Sequence, residues 1–410
     1  MKSRHIIIVG GGPAGIFAAI ACAEAAHGAE VTVLEKGPEF LAKVRISGGG
    51  RCNVTHACFE PRELAERYPR GGRALIGPFK RFRPRDTVVW FESHGVELKT
   101  EGDGRMFPVT DDSRTIVDCL LRAAKAAGVK LLARHGVERM ARRAAGGFDV
   151  TLSGGETLAC DRLMLATGGC RTAEEGNLAV SLGHTLEPPA PSLFTFHIET
   201  PWLRALSGVS VESAEVSAPG AKLRECGALL VTHWGLSGPA ILRLSAWGAR
   251  ALHGFDYRFP LHVNWLPDSN AEDVVAALQS RRAGQPARLV VNTPVPPLPA
   301  RLWEQLVLAA GVDRDTRWAA LTRAAQHRLV QQLTRTELPV TGKSMNKDEF
   351  VTCGGVPLNE VDFKTMESRV CPGLYLAGEL LDVDGITGGF NFQAAWTTGW
   401  IAGRAMAGEA

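Results

Sequence analysis

Apolar runs and glycine clusters alternate along the first forty residues. The run from His5 to Val9 predicts a short buried strand, the Ala-rich stretch after Gly15 predicts a helix, and the next apolar run predicts a second strand that ends at Glu35. Gly10, Gly12 and Gly15 lie between the first strand and the helix. This order of elements predicts the opening βαβ unit of a parallel α/β sheet.

The spacing Gly10-x-Gly12-x-x-Gly15 is typical of a turn that binds a dinucleotide. Gly10 permits the tight bend, Gly12 leaves room for a pyrophosphate, and Gly15 lets the helix pack closely on the strand. The helix N-terminus offers free N–H groups to the phosphates, and Glu35 can bind the hydroxyls of an unphosphorylated ribose. The candidate contacts in this unit are Gly10, Gly12, Pro13, Ala14, Gly15, Glu35 and Lys36.

A second glycine loop favours FAD over NAD as this dinucleotide. Three consecutive glycines, Gly48 to Gly50, follow shortly after the ribose-binding carboxylate and predict a second loop that contacts phosphate and ring. A simple dehydrogenase has no need of such a loop. Its candidate contacts are Ser47, Gly48, Gly49, Arg51, Cys52 and Asn53.

Later segments complete the predicted FAD site. Arg162 to Ala166 predicts an apolar strand that ends in a Thr-Gly-Gly turn, and the C-terminal segment predicts a strand and then a final Ala-rich helix. The N-terminus of that helix would face the flavin pyrimidine ring, where its dipole stabilises anionic reduced flavin. The candidate contacts are Val137, Thr167, Gly168, Gly378, Glu379, Gly388, Gly389, Phe390 and Asn391.

Four segments, SGGGRCN, ATGG, THWGLSGPAILRLS and AGELLDVDGITGGFNFQAA, together resemble the YhiN/BaiN-like family of FAD-dependent oxidoreductases over nearly the whole chain. The resemblance implies an α/β fold with a Rossmann-type FAD-binding domain that is split in sequence by an inserted β-rich and helical domain. It also implies one of two activities assigned in the family. These are reduction of an activated C=C bond in bile-acid intermediates and reduction of a uridine in large-subunit ribosomal RNA to dihydrouridine.

Proline-rich segments mark the domain boundaries. EPPAPSLFTF begins at Glu187, and NTPVPPLPARLW precedes the last part of the insert. We therefore expect residues 1–189 and 345–410 to form the two parts of the FAD-binding domain, and residues 190–344 to form a substrate or cap domain.

The inserted domain combines strands and helices. Short alternating apolar stretches from Leu193 to Val263 predict strands, interrupted by one helix after Gly238-Pro239. Two helices, about Ala300 to Ala310 and Trp318 to Thr334, follow the second proline-rich segment. Phe350 to Val356 then returns the chain to the first domain.

Composition narrows the class of protein. The chain has 410 residues with 46 Lys+Arg, 43 Asp+Glu and a formal charge of +3, and 45% of its residues are hydrophobic, which excludes a disordered chain or a coiled coil. The nine cysteines are scattered without a CxxC pair, so neither a disulfide framework nor a metal site is expected. No signal-peptide pattern and no uncharged run of about 20 residues are present, so we expect a cytoplasmic protein without a membrane partner.

The chain has a single GxGxxG motif, so it has no separate nicotinamide domain. We expect NADPH or NADH to bind transiently as the reductant, unless the electrons come from elsewhere. Cys52 and Cys58 lie where disulfide reductases place their redox pair, but they are six residues apart instead of five. We interpret them as two thiols.

Reduction of a C=C bond needs a hydride from flavin N5 and a proton from a nearby acid. Cys52 is one candidate donor, and a small residue packed under the flavin is the alternative. His233 lies between a strand and a glycine turn, and it is a second candidate acid or substrate clamp, with a structural histidine as the alternative. Asp382 and Asp384 follow Glu379 closely; we expect one on a surface turn and the other in a flavin or loop contact.

Arg62 to Arg85 is strongly basic and contains Phe79 and Phe82. Such a segment could bind phosphates and stack bases, as an RNA substrate would require, although a solvated basic loop is favoured. The substrate is thus a small molecule or, less favoured, RNA. The leading hypothesis is a flavin-dependent C=C reductase; a uridine reductase, a flavin-binding protein without turnover and a monooxygenase remain open.

Overall fold

The computed structural model describes residues 4–26, 28–170, 176–344 and 351–409. The chain forms two compact units, one made of Met1–Pro191 with Lys347–Ala410 and the other of Ser192–Asn346. The boundaries expected after residues 189 and 344 lie close to these.

The helices and strands run in chain order from β1 to α14. The first segment contains β1 (His5–Val9), α1 (Pro13–Ala25), β2 (Glu30–Glu35), α2 (Ala42–Gly50), β3 (Thr55–His56), α3 (Pro61–Ala65), α4 (Gly72–Arg81), α5 (Pro84–Ser93), β4 (Leu98–Thr100), β5 (Arg105–Pro108), α6 (Ser113–Ala126), β6 (Lys130–Ala133), β7 (Val137–Arg142), β8 (Phe148–Leu152), β9 (Thr157–Cys160), β10 (Arg162–Leu165), α7 (Asn177–Val180) and β11 (Glu187–Ser192). The second unit contains β12 (Thr195–Ile198), α8 (Pro201–Arg204), β13 (Ser210–Ala218), β14 (Leu223–Val231), β15 (Gly235–Ser237), α9 (Pro239–Trp247), α10 (Ala249–Gly254), β16 (Phe259–Asn264), α11 (Ala271–Gly284), α12 (Ala300–Ala309), α13 (Arg323–Arg335) and β17 (Thr336–Ser344). The returning segment contains β18 (Val351–Gly355), β19 (Val361–Asp362), β20 (Glu367–Ser368), β21 (Leu374–Leu376) and α14 (Phe390–Ala407).

A mixed sheet organises the first unit. Among the described residues its strand order is β19-β20-β21-β10-β1-β2-β6. The strands from β21 to β6 are parallel, and the β19–β20 hairpin adds an antiparallel edge. Ile6, Ile7 and Ile8 are fully buried, as expected for a parallel strand covered on both faces. The expected strands at His5–Val9, before Glu35 and at Arg162 are all present.

Smaller sheets flank this one in the first unit. The described strands pair as β3-β5-β4, as β7-β8-β9 and as β11-β18. β18 covers most of the segment predicted to return the chain to the first domain; Phe350, the first residue of that segment, lies outside the described residues.

The second unit is built on a closed barrel with the strand order β12-β15-β14-β13-β16-β17. Its core contains the fully buried rings of Trp265, Trp303 and Trp318. The strands predicted between Leu193 and Val263 and the helix after Gly238-Pro239 are therefore confirmed.

The helices of this unit differ from the prediction at several points, and α8 and α10 are short additional helices that the sequence did not predict. The helix expected from Trp318 begins instead at Arg323, because the Thr322 side chain caps its N-terminus by accepting a hydrogen bond from Ala325 N. α11 was not predicted from the sequence. Only Val274 and Leu278 are buried along it, so its apolar stripe is too narrow to stand out.

The α/β architecture with an inserted β-rich and helical domain agrees with the predicted fold class. Among the described residues, no helix is both long and apolar enough to cross a membrane.

Candidate functional site

Four candidate segments meet at one edge of the large sheet. The parallel strands β2, β1, β10 and β21 are neighbours in the sheet, and each ends in a predicted site segment. Glu35 ends β2, the Gly10 turn follows β1, Thr167-Gly168 follows β10, and Gly378-Glu379 follows β21. The carboxyl edge of a doubly wound sheet is where such folds bind dinucleotides.

The turn between β1 and α1 has the geometry of a phosphate cradle. Gly10 has φ +110°, and a Cβ there would lie 2.2 Å from Ala166 O, so only glycine fits. A Cβ at Gly15 would lie 2.0 Å from Gly10 O, which explains the close packing of helix on strand. Around Gly12, in contrast, no atom lies within 4 Å of the Cβ position, and no side chain caps α1. This open, uncapped helix N-terminus fits the pyrophosphate of FAD.

Glu35 is held rigidly at the end of β2. Its two carboxylate oxygens accept hydrogen bonds from Gly11 N at 2.8 Å and Gly37 N at 2.7 Å. Each oxygen keeps a lone pair for a ribose hydroxyl. His135 N donates to the backbone carbonyl of Glu35 at 2.8 Å, so the segment leading to Val137 runs beside the end of β2, while the Lys36 side chain is exposed.

Gly378 and Glu379 lie against the first glycine turn. A Cβ at Gly378 would lie 2.9 Å from Ala14 Cβ, and Gly378 N donates to Thr398 Oγ1 at 3.0 Å. Glu379 forms an ion pair with Lys43 at 2.5 Å. The structure thus joins segments that are more than 300 residues apart in the chain.

The second glycine loop interrupts the end of α2. Gly48, Gly49 and Gly50 have φ values of +58°, +67° and +83°, which places all three in the left-handed region. No atom lies within 4 Å of a Cβ at Gly49 or Gly50, so the loop leaves open space of the kind predicted. The Arg51 guanidinium does not point freely into that space, since it donates to Glu101 at 2.7 Å.

Cys52 is a strained, buried member of this loop. Its φ is +61°, which is rare for a residue with a side chain, and its side chain is 0% exposed. Burial raises the pKa of the Cys52 thiol to about 12, so the thiol keeps its proton at neutral pH. Cys58 is also a free thiol, in agreement with the expectation of two thiols and no active disulfide.

α14 packs directly on α1, backbone against backbone. A Cβ at Gly399 would lie 2.5 Å from Ala14 O, and one at Gly403 would lie 2.3 Å from Ala18 O. The helices run in the same direction, and Gly399 is level with the start of α1. The N-terminus of α14, nine residues earlier at Phe390, therefore projects about 14 Å beyond the phosphate cradle. The two helix N-termini are staggered in the manner expected for pyrophosphate and flavin ring.

Side chains from distant elements hold the N-terminus of α14. With its amide oriented to suit its neighbours, Asn53 donates to Thr55 O and accepts from Gly389 N, both at 3.0 Å. Tyr68 Oη donates to Phe390 O at 2.6 Å, and Asn391 exchanges two hydrogen bonds with the backbone of Gly385. No side chain caps the first turn of α14. Its N–H groups thus remain oriented for a ligand.

Sequence reasoning missed two supports of this helix. The His56 ring stacks on Phe390 at 4.7 Å, and burial lowers the pKa of His56. The buried Gln393 amide accepts from Thr55 and Thr87 and donates to Thr397. His56 could have been noticed as the histidine that follows the second glycine loop, whereas the spacing of the Gln393 partners carries no sequence signal.

The prediction for Asp382 and Asp384 was partly wrong, because neither lies on a surface turn. Asp384 is fully buried and forms a bidentate ion pair with Arg70. Asp382 is 8% exposed and accepts from Gly354 N at 2.9 Å. Asp384 therefore connects its loop to the segment before α4, and Asp382 connects the same loop to β18.

The base-stacking role suggested for the segment from Arg62 to Arg85 is also wrong for its aromatic residues. Phe79 is 0% exposed and Phe82 is 4% exposed, since both rings pack into the core of the unit. Several cations of the segment remain exposed, namely Arg62, Arg67, Arg73, Lys80, Arg81 and Arg85.

His233 belongs to the second unit. It lies in the exposed turn between β14 and β15, where its Nδ1 is 3.0 Å from Ser207 Oγ. Thr232 Oγ1 fixes this turn by accepting from Trp234 N and Gly235 N.

The model of the HI0933-like protein Rossmann domain matches residues 4–405. The chain belongs to the HI0933-like family. Membership in this family confirms the resemblance to the YhiN/BaiN-like proteins and identifies the chain as an FAD-dependent oxidoreductase. The glycine cradles and staggered helix N-termini are consistent with that cofactor.

Curated relatives align over nearly their full length. The chain is 32% identical to a ribosomal RNA dihydrouridine synthase of Escherichia coli K12, with 98% of each chain covered. It is 30% identical to a 3-dehydro-bile acid delta(4,6)-reductase of Clostridium scindens, with 98% of this chain and 99% of the relative covered.

Solved structures support the fold at low sequence identity. The 3-ketosteroid Δ1-dehydrogenase of Sterolibacterium denitrificans has a TM-score of 0.54 at 12% identity, with 100% of both chains covered. The 3-ketosteroid-Δ4-(5α)-dehydrogenase of Rhodococcus jostii RHA1 has a TM-score of 0.51 at 14% identity, with 98% of this chain and 97% of that chain covered.

Proposed function

We propose that this HI0933-like protein is a reductase that adds a hydride and a proton across a C=C bond conjugated to a carbonyl group. The observation that carries the proposal is the uncapped N-terminus of α14, held by Asn53, Tyr68 and Asn391 and staggered about 14 Å beyond the phosphate cradle. Two of the curated relatives are named a 3-dehydro-bile acid delta(4,6)-reductase and a ribosomal RNA dihydrouridine synthase, and dihydrouridine is uridine with two hydrogens added across a C=C bond.

Different residues of the chain would bind different parts of FAD. The N–H groups at the start of α1 would hold the pyrophosphate, and Glu35 the adenosine ribose. Glu379 would bind the ribityl chain from the end of β21, where Lys43 holds its carboxylate in place. The α14 dipole would stabilise negative charge at the pyrimidine edge of the ring.

Bound FAD supplies the hydride at N5 once it is reduced. Cys52 and His233 are the two candidates that hold the second hydrogen as a proton. Cys52 stays protonated at neutral pH because it is buried, and His233 is exposed in the second unit. General acids contribute about a hundredfold or more to such steps.

The experiment separates the two half-reactions. Under anaerobic conditions NADPH or NADH should bleach the flavin band in the wild type, in Cys52→Ala and in His233→Gln alike. The variant that lacks the proton donor should then reoxidise about a hundredfold more slowly with a conjugated enone. A purified protein without flavin, or a flavin that only oxygen reoxidises, would contradict the proposal and favour a binding protein or a monooxygenase.

Uridine in RNA is the second candidate substrate. The 32% identity to a ribosomal RNA dihydrouridine synthase and the exposed cations between Arg62 and Arg85 favour it. Binding of the RNA substrate should then weaken with salt and weaken further when Arg73, Lys80 and Arg85 are changed to Glu. Unchanged binding in that variant would exclude this segment as the RNA contact.

A further inference from the structure

A cavity lies in the first unit, and none of its lining residues belongs to the glycine turns. It measures about 570 Å³, within the range of about 300–1,000 Å³ that is usual for small-ligand sites. One wall is a face of α4, formed by Ala74, Gly77, Pro78 and Arg81. The opposite wall is formed by residues 358–369, which include the β19–β20 hairpin.

Three of the four charged side chains around this cavity are cationic. Arg81, Lys364 and Arg369 face one carboxylate, Asp362, so the lining carries a formal charge of +2. Asp362 accepts a backbone hydrogen bond from Lys364 N at 3.0 Å, and its Oδ1 lies 3.7 Å from an Arg369 guanidinium nitrogen. The Asp362 carboxylate is thus already bonded to its neighbours. The cavity keeps a net positive potential, which attracts an anion.

Hydrogen bonds hold the guanidinium groups of Arg81 and Arg369 in place, and both groups keep further N–H donors for a ligand. Arg81 donates one guanidinium hydrogen bond to Lys364 O, and Arg369 donates one to Val361 O at 3.2 Å. Each guanidinium has five N–H donors, so most of them stay available. Lys364 is exposed, and its Nζ has no ion-pair partner within the described ranges.

A buried cluster fixes the hairpin wall. His184 is 3% exposed, and its two ring nitrogens lie 2.7 Å from Glu360 Oε2 and 2.8 Å from Ser368 Oγ. Glu360 precedes β19 and Ser368 ends β20, so the cluster ties both ends of the hairpin. Rigid support of this kind reduces the entropy lost when a ligand binds.

Phe363 adds an aromatic face to the same wall. Its ring lines the cavity and is half-buried. A cationic pocket with one accessible ring is the combination that binds a phosphate together with a base.

We propose that this cavity binds a nucleotide, with Arg81, Lys364 and Arg369 on the phosphate and the Phe363 ring against the base. The nucleotide belongs either to a transient nicotinamide dinucleotide or to an RNA strand, since both present the same chemistry. The proposal stands apart from the reaction proposed above, because the cavity shares no residue with the strand-end site.

The test uses the flavin-loaded protein, so that the FAD site is filled. Calorimetric titrations with inorganic pyrophosphate and with AMP compare the wild type with three variants. The first is Lys364→Gln/Arg369→Gln, the second is Phe363→Ala, and the third is the matched control Lys130→Gln/Arg139→Gln, which removes two exposed cations elsewhere in the unit. Thermal unfolding checks that all variants fold.

We expect the first variant to lose about tenfold or more in affinity for both probes, because charge-assisted hydrogen bonds are removed. Phe363→Ala should weaken AMP and leave pyrophosphate unchanged, and the control should match the wild type. Failure of the wild type to bind either probe, or an equal loss in the control, would overturn the proposal. An unchanged AMP affinity in Phe363→Ala would overturn the assignment of the base.

Two further arms identify the source of the nucleotide. A raised KM for NADPH in anaerobic flavin reduction by the first variant, with an unchanged rate of reduction by dithionite, indicates the nicotinamide dinucleotide. Loss of binding to a uridine decamer with an unchanged KM for NADPH indicates RNA. All of the binding readouts are independent of substrate turnover, so failure of the proposed C=C reduction would leave them interpretable.

Discussion

Gly12→Asp separates the stability of the fold from the binding of FAD. Gly12 is the N-cap of α1, with φ −82° and ψ −173°, an extended conformation that aspartate adopts without strain. No atom lies within 4 Å of its Cβ position. Aspartate is also a preferred N-cap residue and should stabilise the helix by about 0.3 kcal/mol relative to glycine.

The same carboxylate would stand where the pyrophosphate is expected. Two like charges about 4 Å apart repel by about 4 kcal/mol at the effective dielectric of a protein surface. Since about 1.4 kcal/mol is tenfold in affinity, FAD binding should weaken by about a thousandfold. Gly12→Asn is the matched control, because asparagine has the same size and also caps the helix but has no charge.

The assay has two readouts. The ratio of flavin to protein absorbance after purification and a fluorescence titration with FAD report binding, and thermal unfolding of the apoproteins reports stability. We expect Gly12→Asp to bind FAD far more weakly than Gly12→Asn while its apoprotein unfolds at the same temperature or slightly higher. A Gly12→Asp protein purified with a full complement of FAD would refute the placement of the pyrophosphate.

Three further predictions concern the supports of the site. Gln393→Leu removes the acceptor of two buried hydroxyls, Thr55 and Thr87, and should lower the free energy of unfolding by about 2 kcal/mol or more in urea, whereas Gln331→Leu on an exposed position should change it by less than about 0.5 kcal/mol. Asp384→Asn removes the negative charge that faces the largely buried Arg70 guanidinium and should cost about 3 kcal/mol in the same assay, against at most about 1 kcal/mol for Asp103→Asn in an exposed pair. Burial lowers the pKa of His56, so the unfolded chain binds the proton more readily and stability should fall as pH drops below about 6.5. His56→Phe should reduce this loss, as measured by the melting temperature between about pH 7 and pH 5; an unchanged pH dependence would show that His56 is not its source.

The parts of the site that were predicted from the sequence are local. Gly15 is required by a contact inside the turn, with Gly10 O, so the motif spacing indicates this part of the structure, whereas glycine is required at Gly10 by Ala166 O, which follows the distant strand β10. Glu35 could be placed because it ends a strand whose hydrophobic run is visible in the sequence. Local geometry of this kind leaves a residue pattern that can be recognised.

The parts that were missed depend on long-range packing. Arg70 and Asp384 are 314 residues apart, and nothing near either residue indicates the other. Arg70 was therefore counted with the solvated basic segment although it is largely buried against Asp384.

A local pattern was also overlooked. Phe79 and Phe82 lie three residues apart, on and just after α4, and this helical spacing could have identified them as part of a core face.

Reoxidation of the chemically reduced enzyme tests the central claim most directly. The flavin is reduced with dithionite without oxygen, excess reductant is removed, and a conjugated enone or a uridine-containing ribosomal RNA is added. The account predicts that one of these acceptors restores the visible flavin band and gains two hydrogens across its C=C bond. If the band returns only when oxygen is admitted, the chain is not a C=C reductase for these classes of substrate, and the proposed function is contradicted.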